Sequence, residues 1–199
     1  MVTINPKTLS GNWTKGYALD IHSIESTFLG YDEYGHEVFD TKRSEIGELL
    51  YRLKYKSDKT ALDEIVDTIV SFLENQWKII DAIDSIIPVP PSKHRVFQPV
   101  LEISKNLSLR LKKPYYDDVL VKTIETPELK DVYEYGKRME LLKNAFEIRN
   151  NLLNGTSILL LDDLFRSGAT LNTITETLYK QGNVQNVYVL TLTKTRSKV

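Results

Sequence analysis

Ser157-Ile158-Leu159-Leu160-Leu161-Asp162-Asp163-Leu164-Phe165-Arg166-Ser167-Gly168-Ala169-Thr170 is the stretch that decides the fold of this chain. The consecutive large aliphatics Ile158, Leu159, Leu160 and Leu161 suit a strand buried on both faces, as in a parallel sheet. Two carboxylates follow where that strand would emerge at its carboxyl end. A short loop then brings Arg166, Ser167, Gly168 and Thr170, and behind it Leu171, Ile174 and Leu178 share one face of a helix. Strand, acidic pair, glycine loop and helix make a layout suited to a phosphorylated sugar. Loop amides and a helix N-terminus hold phosphate, while carboxylates accept hydrogen bonds from sugar hydroxyls. Adjacent aspartates can also simply cap a turn. Inside a buried element, however, they would repel each other and lose hydration. At a strand's mouth, facing a polyhydroxylated ligand, most of that cost is removed.

The rest of the chain bounds this reading. Its 199 residues are enough for one domain with a sizeable core and an appended segment. The formal charge of −1 gives no basic field for nucleic acid or a membrane surface. No run approaches the length of a transmembrane helix, and the first residues are unlike a signal peptide. The absence of cysteine excludes disulfides and thiolate metal sites, leaving a cytoplasmic enzyme as the default expectation.

Periodicity gives the organisation. Residues 17–29 are rich in strand formers, and Asp32-Glu33-Tyr34-Gly35 signals a turn before His36-Glu37-Val38-Phe39, which predicts a hairpin. Asp40 or Thr41 would cap a helix through Ile46, Leu49, Leu50 and Leu53, with Lys54 and Lys56 at its solvated end. Asp58 would cap a second helix, with Leu62, Ile65, Ile69, Phe72 and Leu73 buried. A short strand at 85–89 ends at Pro90-Pro91, a helix spans 100–111, and strands are predicted at 118–122, 145–148 and 187–192. The alternation predicts an α/β fold: a mostly parallel twisted sheet flanked by helices. Residues 1–80 are read as an N-terminal hairpin and helical extension packed on a core at 81–199. Ligands of such sheets sit outside the carboxyl ends of the strands, where both the acidic pair and the Pro88-to-Arg95 turn fall.

Residues 158–170 resemble the phosphoribosyl pyrophosphate (PRPP) binding motif of type I phosphoribosyltransferases. That motif has four apolar residues, an acidic pair, two variable positions and a small-hydroxyl/Gly/Ala/Thr loop. The match holds at Asp162, Asp163, Ser167, Gly168, Ala169 and Thr170, and departs at Phe165 and Arg166. A closer likeness is to the ComF-type subfamily, phosphoribosyltransferase-fold proteins tied to DNA uptake in competent bacteria. It covers roughly residues 50–195 and is carried by Leu53-Lys54-Tyr55-Lys56, Pro88-Val89-Pro90, Arg95-Val96-Phe97-Gln98, residues 138–146 and Leu190-Thr191-Leu192. The cysteine-rich segment often found at the ComF N-terminus is missing here, and Arg95-Val96-Phe97-Gln98 lacks the usual glycine and asparagine.

The resemblance implies a set of roles. Asp162 and Asp163 would hold the ribose 2- and 3-hydroxyls as the catalytic pair. Amides and hydroxyls of Arg166, Ser167, Gly168, Ala169, Thr170 and Leu171 would hold the 5-phosphate. Ser92, Lys93 and Arg95 would take pyrophosphate, and a polar stretch at 123–138 would form a hood loop contributing Lys137 and Arg138. Mg²⁺ would arrive with PRPP, with no protein metal-ligand set, and an unidentified nitrogen nucleophile such as a nucleobase or amine would accept the phosphoribose. The alternative is a non-catalytic PRPP-binding or regulatory protein linked to DNA uptake. Nucleic acid is not expected as a direct ligand and no membrane is implied; a homodimer is among the open assemblies. His22, His36 and His94 lack partner ligands at helical spacing and read as ordinary.

Overall fold

The computed structural model describes residues 1–56, 58–92, 97–124 and 134–196. The chain opens with β1 (Lys7–Thr8), β2 (Lys15–Ile21), β3 (Ser23–Tyr31) and β4 (Glu37–Arg43). Helices α1 (Glu45–Tyr55) and α2 (Thr60–Ser71) follow, the second running into a π-helical turn at Phe72–Trp77 and then a short 3-10 turn at Ile80–Ala82. Next come β5 (Ser85–Pro88), α3 (Pro99–Leu111), β6 (Leu120–Lys122), α4 (Tyr135–Leu142) and β7 (Phe146–Ile148). The chain continues with β8 (Ser157–Phe165), α5 (Ala169–Lys180) and β9 (Asn186–Lys194).

The central sheet has the order β1-β2-β9-β8-β5. Three of its pairings are those of an α/β fold: β2, β9, β8 and β5 run parallel, and the edge strand β1 is antiparallel to β2. In β8, Ser157 to Leu161 are buried on both faces as the unbroken aliphatic run requires. Strand alternation splits its side chains between two cores. Leu159 and Leu161 pack with α1, α2 and α3 through Leu50, Leu53, Ile69 and Leu107. Ile158 and Leu160 pack on the other face with Leu171, Ile174 and Leu178 of α5 and Leu142 of α4.

Two adjacent strands send the chain to opposite faces. After β5 it enters α3 on the first face and returns outside β5, where Tyr115 bridges Ile86 in parallel. After β8 it enters α5 on the second face and returns as β9. A crevice therefore opens beyond the carboxyl ends of β5 and β8, the position where such sheets bind ligands.

The N-terminal residues differ from the expectation. The run at 17–29 is not one hairpin strand: it breaks at His22, with β2 in the central sheet and β3 paired with β4 in a separate ribbon. Residues 1–80 thus supply a central strand and two core helices as well as a hairpin. The cap of α1 is Ser44, not Asp40 or Thr41, which are paired within β4. Ser44 Oγ donates to Ile21 O (2.5 Å) and accepts from Gly47 N–H (3.2 Å), so one hydroxyl ties the end of β2 to the start of α1.

That junction is tight. A Cβ added at Gly47 would stand 2.5 Å from His22 O and 3.0 Å from Ser44 Oγ. Gly47→Ala is expected to lower stability by about 1–3 kcal/mol through this overpacking, despite the better helix propensity of alanine. Denaturant melts of the two proteins check this; equal or higher stability of the variant would show that α1 is not held against β2 as described.

Candidate functional site

β8 outlasts its neighbour. β5 pairs with it up to Pro88 and Leu161, and Val89 N–H donates to Leu161 O (2.9 Å). Asp162, Leu164 and Phe165 go on pairing with Thr191, Thr193 and Lys194 of β9. The acidic pair therefore lies within the strand, one step past the end of β5, rather than in a loop after it.

Because the pair is in strand conformation, its two side chains leave on opposite faces. Asp162 continues the Ile158–Leu160 face and lines a pocket of about 80 Å³ with Arg138, Leu164, Phe165, Arg166, Ser167, Gly168, Ala169, Thr170 and Leu171. Asp163 continues the Leu159–Leu161 face, toward α1, and its Oδ2 lies 2.5 Å from Lys54 Nζ. The two carboxylates thus do not converge on one pocket. Lys54 is not the solvated helix end expected: its side chain is 18% exposed and that of Asp163 23%. Its spacing held the clue, since Ile46, Leu50 and Lys54 recur at i, i+4 and i+8, prolonging the buried stripe of α1 by a turn.

The glycine loop is built by local chemistry. Gly168 has φ +79° and caps α5, and a Cβ there would also meet the Phe165 ring at 3.1 Å. Phe165 in turn stands edge-on to Trp13, 6.3 Å between centroids. The bulky residue that departs from the family motif is therefore part of the loop's support. The first N–H groups of α5 have no acceptors within the helix and carry its positive dipole end. Ser167 Oγ accepts from Ala169 N–H (3.4 Å) and from Arg138 Nη1 (2.8 Å). Arg166 is exposed at the pocket rim.

Of the two cations expected from a hood loop, both lie on α4. Lys137 points outward and pairs with Glu134 (3.0 Å), each roughly two-thirds exposed. Arg138 turns inward to the pocket. Residues 125–133 of the expected hood, with Tyr133, lie outside the described residues, as do Lys93 and Arg95 of the pyrophosphate set; Ser92 is exposed just after β5.

Sequence reasoning missed three further residues. Asn172 accepts from Asn12 N–H (2.8 Å) and donates to Tyr135 OH (2.9 Å), joining the N-terminal loop, α5 and α4. His22, read as ordinary, directly follows β2, its Nδ1 3.2 Å from Thr193 Oγ1. Thr193 Oγ1 donates to Asp163 O (3.2 Å). Burial first, then the nearby Lys54 and Arg43 charges, lower the His22 pKa and keep the ring neutral near pH 7. Finding His22 by sequence required knowing that β2 is parallel to β9, a pairing between distant segments.

Burial pushes the Asp162 carboxyl well above its ordinary value of 3.8, and the neighbouring Asp163 charge adds to the rise. The Asp163 N–H, which donates to Asp162 Oδ1 (2.8 Å), and Lys54 offset it only in part. A group that binds its proton more tightly when folded contributes stability fully below its unfolded pKa. That contribution is lost as pH rises through the raised folded value. Wild type should therefore lose stability relative to Asp162→Asn between about pH 4 and about pH 8. Parallel denaturant melts across that range test this; identical pH dependences would mean Asp162 ionises normally.

No family model matches the chain. Over 148 residues, 73% of this chain, it is 27% identical to competence protein ComFC of Bacillus subtilis, and the matched stretch spans 58% of that protein's length. Among solved structures it is similar to adenine phosphoribosyltransferase from Saccharomyces cerevisiae, with 13% identity, 85% of this chain and 83% of that chain covered, and a TM-score of 0.48. Orotate phosphoribosyltransferase from Aeropyrum pernix gives 14% identity, 85% and 73% coverage and a TM-score of 0.44. The resemblance read in residues 50–195 is thus met by similarity to a curated ComF competence protein across most of the chain.

Proposed function

We propose that the chain binds PRPP and transfers its phosphoribosyl group to a nitrogen nucleophile, releasing pyrophosphate. The observation that carries this is the joining of Asp162 and the loop from Arg166 to Leu171 in one pocket at the carboxyl end of β8. In this reading the 5-phosphate lies on the loop amides, the Ser167 and Thr170 hydroxyls and the N-terminus of α5. Asp162 faces the ribose hydroxyls. Asp163, held by Lys54, acts from behind the strand by fixing its course and charge. Ser92, Lys93 and Arg95 follow β5 in the chain and are assigned to pyrophosphate.

Among the described residues no group of three or more histidine, aspartate or glutamate side chains could hold a metal ion. Magnesium in this reading is carried by pyrophosphate oxygens and water, as this hard cation often is, and neutralises leaving-group charge. No side chain in the pocket is placed as a general base toward an acceptor. Rate enhancement would come from positioning and from fixed charge at the breaking C1–O bond.

The likeness to a competence protein favours a second reading, PRPP binding without turnover. Pyrophosphate release from PRPP with a panel of nucleobases and amines supports transfer. Saturable PRPP binding with no release under any acceptor supports the second reading. In both, Asp162→Asn is expected to weaken PRPP binding by about fivefold, because an amide NH2 replaces a carboxyl oxygen able to accept from the ribose hydroxyls, and Asp163→Asn by less. Calorimetry with PRPP and Mg²⁺ decides; equal affinities of wild type and Asp162→Asn would remove the sugar-site assignment.

A further inference from the structure

We propose that Arg138 is a phosphate ligand delivered from α4, so that the 5-phosphate subsite is built by two elements rather than by the β8–α5 loop alone. This rests on the phosphorylated-sugar reading of the pocket. It moves Arg138 from a hood over the ligand, the role the family resemblance implies, to the 5-phosphate end.

The spacing on α4 makes the case first. Tyr135, Arg138, Met139 and Leu142 recur at i, i+3, i+4 and i+7 and so share one face. That face is the one docked on α5. Tyr135 OH accepts from Asn172, Thr173 Oγ1 donates to Met139 Sδ (3.7 Å), and Leu142 is buried in the second core. Three contacts that do not involve the guanidinium thus hold α4 in place and carry Arg138 to the pocket. Lys137, one position earlier, turns to solvent and pairs with Glu134.

Chemistry makes the case second. Arg138 Nη1 donates to Ser167 Oγ (2.8 Å), a neutral hydroxyl that also accepts from Ala169 N–H. A phosphate dianion is the better acceptor for a cation, and such charge-assisted bonds are about twice as strong as neutral ones. The α5 terminus supplies only about half an elementary charge, so a dianion there is under-compensated by the loop alone. Arg138 brings a cation in a planar fork that suits phosphate geometry. A phosphate bound between Ser167 and α5 would lie within reach of the Nη1 that now donates to Ser167, leaving α4 where it is.

The test is calorimetric titration of the whole chain with ribose 5-phosphate and, separately, inorganic pyrophosphate. Arg138→Gln is expected to weaken ribose 5-phosphate binding by about tenfold and pyrophosphate binding by less than about threefold, with Arg138→Lys recovering part of the loss. Tyr135→Phe, which loosens the docking of α4 but keeps the cation, is expected to change ribose 5-phosphate affinity by less than about threefold. Melting curves show whether each variant is folded, and Arg138→Lys carries the test if Arg138→Gln is not. Unchanged affinity in Arg138→Gln overturns this inference and leaves the PRPP reading standing, and so does an equal loss in Tyr135→Phe, which would make Arg138 a matter of packing. Wild type that binds neither ribose 5-phosphate nor PRPP overturns both. Wild type that binds both, loses ribose 5-phosphate affinity in Arg138→Gln and shows no turnover removes only the transfer reaction.

Discussion

The two-residue period of strand β8 governs this molecule. Successive side chains of a strand face opposite sides, so Ile158 and Leu160 feed one core and Leu159 and Leu161 the other. Asp162 and Asp163 inherit that division. One carboxyl reaches the pocket in front of α5, and the other meets Lys54 on the α1 side. An acidic pair that looks like a single unit in the chain is, in space, two carboxyls in different surroundings on two faces of one strand.

The division eases an electrostatic problem. Two adjacent carboxylates in a partly dry site cannot both ionise cheaply. The cation from α1 stands against Asp163, while burial and the Asp163 charge favour the protonated form of Asp162. Lys54 can do this because α1 is anchored at its other end, where Ser44 and Gly47 sit against the last residues of β2. The N-terminal strand, the first helix and the site are thus one mechanical unit. α4 and α5 form its counterpart on the other face, joined through Asn172 and Ser167.

What could be read from the chain follows from how local each feature is. The strand–loop–helix unit at β8 and α5 was legible because its signals, an aliphatic run, a glycine with positive φ and a helical stripe, are set within a few residues of each other. The boundaries of α3 were legible for the same reason, Pro99 opening it and Lys112 and Pro114 ending it. The place of β2 was not, because its partner β9 lies at the other end of the chain and nothing near Tyr17 or Leu19 distinguishes a central strand from a ribbon. Lys54 was misread as a consequence, since its surroundings exist only once that pairing forms. The two faces of the acidic pair could have been deduced. Treating the strand as ending at Leu161 hid them, whereas β8 runs to Phe165.

The most direct measurement is a crystal structure of the chain with ribose 5-phosphate bound. The account predicts phosphate at the amides of residues 166–171 within reach of Arg138, ribose hydroxyls on Asp162, and the Lys54–Asp163 pair intact. Ribose bound across Asp163 with Lys54 displaced, or phosphate seated away from the start of α5, would contradict it.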